Sequence, residues 1–537
     1  MTKVTLAQPQ NNKEKLMRCH ARIKSVFIFL LFSPLSFAML GAAHAAPAFP
    51  GISKVVQPNS ASISVRLRGD EWNNWVETVG GFTIAQSRSG YWEYVISYDE
   101  GTPILSGIRA ELAPPENVRR GVGPSVVVPV FTEEQNKNTR KERWGPPYGK
   151  FKGNVLFILA EFKNVKGTYS QNSFAKMLKT DIARYYKRAS NNRVKIIPAK
   201  ETHGKRNNGV VGWINLGYNH PNTRGNTSKK NRDLAKKAII KANKYVNFKS
   251  YDKNKDGYTD SDELAVVVIV AGYESSYSAK NPGVWGHAWS IWPLPKVDGV
   301  YVGRYRSGVN GYTQVGERQG DHQATIGIIA HEIGHQIFGL PDLYDTDGSS
   351  DGIGVFGLMG GGSWGKRSVD RYAGQTPVLP CAWTKYEQEW VNAKKIKKGR
   401  RVIKASGMSA TGVGTVYVSE TGRSGEYFLI EHRNATGYDK GLQTTLGKSF
   451  GGLAIWHVDD NAEGKQANDR HRHVDLEEAD RTETYGEKTD LWFSGNAVSF
   501  NNTSKPNSKR YHKKKSNVCI NKIGKAGKVS ISAIWGC

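Results

Sequence analysis

The sequence predicts a mixed α+β chain, with a helix-containing middle portion flanked by β-rich segments at both ends. Three observations carry this. Residues 46 to about 112 alternate polar and apolar in short runs. From Gly153, apolar strand candidates alternate with stretches of helical spacing. After about Pro380 the helical signal nearly vanishes and short apolar segments follow one another.

In the N-terminal portion, Ser62-Ile63-Ser64-Val65-Arg66-Leu67 and Tyr91-Trp92-Glu93-Tyr94-Val95-Ile96 read as half-buried strands. A linker follows: Pro114-Pro115, Gly121, Gly123-Pro124, the polar stretch Thr132 to Arg143, then Pro146-Pro147. Its composition suits proteolysis, with Arg119-Arg120 and Arg140-Lys141-Glu142-Arg143 as candidate processing sites. In the middle portion, Val155 to Ala160 predicts a strand, Phe174 to Arg188 and Asp233 to Val246 predict helices, and Ala265 to Ala271 predicts a buried strand. Toward the C-terminus, Gly414 to Val418, Tyr427 to Glu431, Leu453 to Val458 and Val529 to Ile534 read as strands. No internal repeat is evident. At 537 residues two or three folded units are expected. The boundaries we expect are a signal peptide at 1–45, a propeptide and linker at 46–143, a catalytic domain at 144–379 and a β-rich domain at 380–537.

The first residues resemble an export signal. Lys13, Lys15, Arg18, Arg22 and Lys24 precede the apolar run Val26 to Leu40, and Ala43-His44-Ala45 supplies small residues for cleavage after Ala45. Pro34 interrupts the run, which argues against a membrane anchor, and Met17 offers a second start. No later stretch is long and apolar enough to span a bilayer. A secreted, soluble, monomeric product is expected.

Loss of residues 1–45 removes Cys19 and leaves Cys381, Cys519 and Cys537 in an oxidising compartment. The pair closest in sequence, Cys519 with Cys537, would contribute on the order of 3 kcal/mol; the other pairings stay open. The net charge of +28 falls to +23 with the signal removed, and residues 46–143 carry eleven acidic and eleven basic residues, so the excess lies beyond them. A basic surface attracts anionic partners or simply aids solubility. The run Lys513-Lys514-Lys515 lacks the interleaved aromatics of single-strand binders, and no specific nucleic-acid role is expected.

The main chemistry lies in DHQATIGIIAHEIGHQIFGLPDLYD, Asp321 to Asp345. Ile326, Ile329, Ile333 and Ile337 recur at helical spacing, Asp321 is a candidate cap, and Gly339 and Pro341 supply the stop, predicting a helix buried on one face. His331 and His335, four apart, project from one side and are spaced to share a tetrahedral Zn²⁺. Glu332 is the candidate general base and catalytic residue. A bare H-E-x-x-H pattern is weak with thirteen histidines in the chain; the helical context, export signal and following carboxylates strengthen it. For the third ligand Asp342 comes first, because Gly339 lets the chain reverse, and Asp345 second.

A second motif runs from Asp252 to Glu263. Asp252, Asn254, Asp256, Tyr258 (through its carbonyl), Asp260 and Glu263 occupy positions one, three, five, seven, nine and twelve of a calcium loop, with Gly257 at six. A strand follows it, so a solitary structural Ca²⁺ is expected. Asp345, Asp347 and Asp351 read as a polar loop that offers a second cation position, and His287 as a packed residue or a cleft residue.

The stretch HEIGHQIFGLPDLYDTDGSSDGIGVFGLMGGGSW resembles the immune inhibitor A-like bacterial metallopeptidases. So do Gly69-Asp70-Glu71-Trp72, Gly286-His287-Ala288-Trp289, Glu426-Tyr427-Phe428-Leu429-Ile430-Glu431-His432-Arg433 and Gly452-Leu453-Ala454-Ile455-Trp456-His457-Val458-Asp459, so that the likeness runs from about Ser62 to the C-terminus. The resemblance implies a zincin-type catalytic domain, a secreted zinc endopeptidase acting on proteins or peptides, Met359 as a methionine floor under the metal, and residues 46–143 as an inhibitory propeptide. Many members place the glycine three and the aspartate six residues after the second histidine; Gly339 and Asp342 here each come one later. With no cysteine between Ala46 and Cys381, a carboxylate such as Asp70 is the candidate for blocking the metal. The competing reading is an exported calcium-dependent binding or adhesion protein on a degenerate peptidase fold.

Overall fold

The central sheet is built from strands that are apolar on both faces. Phe151–Glu161 and Leu264–Glu274 lie side by side in parallel, flanked by Tyr312–Gln319 and Val210–Asn215, also parallel. Along them alternate residues point to opposite sides. Val155, Phe157, Leu159, Val267 and Ile269 face one core, and Leu156, Ile158, Ala160, Val266, Val268 and Val270 face another. Burial on both faces explains the near-continuous apolar runs. Helix Lys229–Ala242 covers the second face through Leu234, Ala235, Ala238 and Ile239. The first face receives the helical run Gln171–Ala189, whose middle turn is a π-helix at Met177–Ile182, and helix Ile326–Phe338.

This computed structural model describes residues 44–99, 101–124, 148–224, 229–306, 308–405 and 414–537. The basic residues and apolar run of the export signal, Cys19, and the linker from Thr132 through the Arg140–Arg143 site to Pro147 lie outside the described residues. The described residues all fall in one compact unit, Leu40–Cys537.

The sheet ends in an antiparallel edge strand, His287–Trp289, paired with Tyr312–Gln319. Beyond it the two residues His44–Ala45 add a further antiparallel pairing. The chain then enters a six-stranded antiparallel meander in sequence order from Ile52–Val56 to Thr102–Arg109. Val55, Ile63, Val65, Leu67, Val76, Ile84, Trp92 and Tyr94 form its core, as the alternating pattern predicts.

The C-terminal portion forms a five-stranded sheet in the order Lys394–Lys395, Val416–Arg423, Glu426–Asn434, Gly451–Asp459, Val474–Leu476. A three-stranded sheet of Gly399–Lys404, Ser530–Trp535 and Ile520–Asn521 joins it. One face of the larger sheet, with Val416, Leu429, Ala454 and Trp456, shares a single apolar core with Met359, Trp364, Trp383 and Trp390. Cys519 and Cys537 form a disulfide, and Cys381 is buried and unpaired.

Two local expectations are corrected. Asp321 does not cap the helix, because His322–Gln323 first pairs back on Arg318 and Gln319; the N-cap is Thr325. The helix is buried on every side rather than one, since the sheet, the Gln171–Ala189 run and the loop after it enclose it. Gly339 ends it in the left-handed conformation, φ 54°, as the stop signal predicts.

Candidate active site

Helix Ile326–Phe338 is pinned along its length. Tyr186 Oη donates to Ala330 O at 2.5 Å, Gln336 Nε2 to Val266 O at 3.1 Å, and Gln388 Nε2 to Phe338 O at 3.0 Å. His331 and His335, both fully buried, therefore have fixed origins. The reversal at Gly339, where Gly339 N donates to His335 O and Leu340 N to Gly334 O, swings Asp342 back over them. Asp342 Oδ1 lies 3.1 Å from the Nε2 of each histidine, and the two Nε2 atoms are 3.0 Å apart.

His331 Nδ1 meets Leu358 O at 2.9 Å and His335 Nδ1 meets Leu340 O at 2.5 Å. A carbonyl only accepts, so in the neutral rings Nδ1 carries the hydrogen and Nε2 presents a lone pair. Two such lone pairs and a carboxylate oxygen thus converge in a triangle of about 3 Å sides. Donors on a tetrahedral Zn²⁺ with bonds of about 2.0–2.2 Å sit about 3.3 Å apart, so the set fits that ion closely. Among the described residues it is the one group of three or more His, Cys, Asp or Glu side chains whose donor atoms lie within 4.8 Å of one another. The charge balance points the same way. Burial pushes Glu332 and Glu71 well above the usual carboxylate range and Asp70 up to about 7, and neighbouring carboxylates, Asp342 among them, push each further. Glu332 Oε2 and both carboxylate oxygens of Glu71 are buried with no hydrogen-bond partner. A divalent cation held by these donors would offset the mutual repulsion of such a cluster.

Met359 packs beneath the helix, where a Cβ on Gly334 would lie 2.9 Å from its Sδ. Only glycine lets the methionine approach this closely. Asp345, the second choice for a ligand, accepts instead from Asp347 N, Ser349 Oγ, Ser350 N and Ser350 Oγ of its own loop. Asp347 accepts from Ser349 N, and Asp351 closes a turn with Gly354. His287 is buried between Trp285 O and Tyr312 Oη, the packed reading.

Two groups near the site, Tyr344 and Ala46, were missed in the sequence, and a third comes from the segment Gly69–Trp72 that the resemblance had marked as propeptide. The turn Asp70–Asn73 arrives from the N-terminal meander, with Asp70 Oδ1 accepting from Trp72 N and Asn73 N, and Trp72 packing edge-on to Trp289. Tyr344 is buried with its ring tilted toward His331, centroids 6.4 Å apart. Ala46 N donates to Glu332 Oε1 at 2.7 Å. Only the carboxylate of Asp70 had been singled out in this group.

The Asp252–Glu263 loop is folded around its own carboxylates. Asp252 accepts from Asp256 N and Gly257 N, Asp256 Oδ1 from Tyr258 N, and Glu263 from Lys253 N, Asn254 N and Asp260 N. Asp260 is bound by Arg304 and Arg306, and Arg304 also reaches Asp256 at 2.7 Å. Asp260 thus faces guanidinium groups, which the loop spacing alone did not foretell.

Residues 160–393 match the sequence profile of the catalytic domain of immune inhibitor A peptidase M6. Comparison with curated proteins found no match.

Proposed function

We propose that this chain, an immune inhibitor A-like metallopeptidase, is an exported zinc-dependent endopeptidase made as a latent precursor. The observation that carries the reading is the convergence of His331 Nε2, His335 Nε2 and Asp342 Oδ1 within about 3 Å of one another. These three residues would hold the zinc. When bound, it would supply a Lewis acid for the scissile carbonyl and lower the pKa of a water beside it. Glu332 takes a proton from the attacking water and returns it to the leaving amine. That role is supported by the Ala46 amide at Glu332 Oε1, a peptide nitrogen at the distance the proton transfer needs. The edge strand His287–Trp289 aligns substrate by antiparallel pairing, as it pairs with His44–Ala45. The profile match favours hydrolysis over the adhesion alternative.

Residues 1–45 act as the signal, 46–143 as the propeptide, 144–379 as the catalytic domain and 380–537 as the C-terminal β-rich domain. Latency rests on the Asp70–Asn73 turn. Asp70 is spent on the turn itself, so Glu71, with two bare oxygens beside Asp342 and Glu332, is the better blocking group. The calcium loop binds Ca²⁺ through Asp252, Asn254, Asp256, Glu263 and the Tyr258 carbonyl, with Asp260 held by arginine. Among the described residues no helix is long and apolar enough to cross a membrane.

The test is incubation of purified precursor with a protein substrate, with and without a chelator, followed by mass spectrometry of substrate and enzyme termini. Chelation and Glu332→Ala should each abolish cleavage. Undiminished cleavage in both would overturn the proposal.

A further inference from the structure

The three-stranded sheet of the C-terminal portion carries charge that neither its own packing nor the active site uses. Residues 394–404 contain seven lysines and arginines, residues 516–537 contain three more, and neither stretch contains an aspartate or glutamate. Strand pairing brings the two together. Gly399–Lys404 is the edge strand, paired with Ser530–Trp535, which pairs in turn with Ile520–Asn521. Ile403, Ile531, Ala533, Trp535 and Ile520 take the inner face and join one apolar core. Alternation therefore leaves Arg400 and Lys404 on the outer face, about 13 Å apart, opposite Ile534 and Ser530. Nine of the ten cationic residues are exposed. Among the described residues only Lys395 of the ten forms an ion pair, with Glu420 at 2.9 Å.

A cation on an edge strand keeps that strand from pairing with another chain. This role accounts for Arg400 and Lys404, but not for the cations at 394–398 or on the turn between Asn521 and Ser530. Like charges gathered without counter-charge also repel one another, a cost that a bound polyanion removes. A groove of about 340 Å³ opens at the seam with the five-stranded sheet, lined by Lys395, Lys398, Ser419, Asn517 and Trp535. Trp535 Nε1 is buried without a hydrogen-bond partner, so the wall of the groove includes an unpaired donor.

We propose that this face binds an acidic polysaccharide, a linear chain of sulfated or carboxylated sugars. One anionic sugar sits in the groove, and those that follow run along the edge strand, each sulfate or carboxylate accepting charge-assisted hydrogen bonds from lysine and arginine. The character of the face selects this polyanion over others. Residues 394–404 and 516–537 form no helix, so no helical element is offered to the major groove of a DNA duplex. The one aromatic residue in the two stretches, Trp535, is buried, so no platform stacks unpaired bases. Val402 and Val529 are the large apolar side chains exposed there, too small an apolar surface to enter a bilayer. Hydrolysis plays no part in the inference.

The test is titration of the full-length protein with heparin over a range of salt concentrations. Heparin should bind, with log K falling linearly as log salt rises. The triple variant Arg400→Glu, Lys404→Glu, Lys525→Glu should bind roughly a hundredfold more weakly and with a shallower salt slope. Lys187→Glu, Lys195→Glu, Lys237→Glu changes the net charge equally on exposed residues elsewhere and should stay within about threefold of the unaltered protein. In the groove, Lys398→Gln with Asn517→Ala should cost about tenfold. Thermal unfolding checks that each variant folds; if the reversed triple does not, its glutamine counterpart, expected to bind about tenfold more weakly, decides. Equal loss in the two triple variants, absence of heparin binding, or tighter binding to a DNA duplex or to phosphatidylglycerol vesicles would each overturn the inference.

Discussion

Replacing Arg433 by alanine removes the centre of a buried ionic network that clamps the C-terminal sheet to the segment carrying Met359. Arg433 is fully buried and donates to both carboxylate oxygens of Asp439, at 2.8 and 2.7 Å, to Glu431 Oε1 at 3.2 Å, and to Phe356 O at 2.8 Å. Lys385 also pairs with Glu431, which keeps a cation after the substitution, whereas Asp439 loses its forked partner. Breaking a buried pair by removing one member costs about 3–5 kcal/mol. With an unfolding entropy of about 2.1 cal/mol/K per residue, a unit of this length loses about 1 °C per kcal/mol, so its melting point should fall by about 3–5 °C. Phe356 stands three residues before Met359, so the hydrolysis rate at 25 °C should fall as well. The assay is thermal unfolding by tryptophan fluorescence at fixed metal concentration, paired with initial rates. The double variant Arg433→Met with Asp439→Leu leaves no bare charge and should recover part of the loss. A melting point within 1 °C of wild type together with an unchanged rate for Arg433→Ala would refute the reasoning.

Other expectations follow from single contacts. Gly334→Ala gains about 1 kcal/mol of helix propensity but drives a methyl group into Met359 Sδ, so folding stability should change little while kcat/KM drops on the order of tenfold; unaltered kinetics would count against the methionine floor. His457 is stacked between Phe428 and Tyr511; burial alone would lower its pKa, but Glu426 and Glu477, each 3.1 Å away, raise it to about 9. Its folded pKa exceeds the unfolded value of about 6.5, so its contribution, on the order of 3 kcal/mol, is present below pH 6.5 and lost as pH rises through 9. The stability gap between wild type and His457→Gln should therefore close over that window, and a gap that widens would contradict it. Calcium at a hundred times its dissociation constant should add about 2.7 kcal/mol, or about 3 °C, and Asp252→Asn with Glu263→Gln should remove the gain; an equal gain in the variant would locate the ion elsewhere.

Much of the fold was legible because it is local. The apolar runs at Val155–Ala160 and Ala265–Ala271 became the two central strands, and the stop at Gly339 fixed both the end of the active-site helix and the reversal that delivers Asp342. The disulfide joined the two cysteines closest in sequence. What sequence spacing did not reveal depends on pairings across long separations. The helix start moved to Thr325 because two residues after Asp321 found strand partners. Ala46 follows the short edge pairing of His44–Ala45 and Glu71 comes from the N-terminal meander; the sequence had marked only the neighbouring Asp70 as a blocking group. Arg433 shares a strand face with Tyr427 and Leu429, which lie in the core common to the two portions, and its partner Asp439 follows beyond the strand's end. Arg304 joins the calcium loop from more than forty residues away. Motif residues were readable; the groups that neutralise, block or support them were not.

The account stands on three lone-pair donors meeting at one point. Its most direct test is the zinc content of purified, chelator-treated and zinc-reconstituted protein, read by elemental analysis alongside His335→Ala and Asp342→Ala. Beyond any metal shared by all samples, the wild type should retain one zinc per chain that is absent from His335→Ala and strongly weakened in Asp342→Ala, with peptide hydrolysis tracking that zinc. Equal zinc in all three proteins, or hydrolysis that persists after complete removal of the metal, would contradict the assignment.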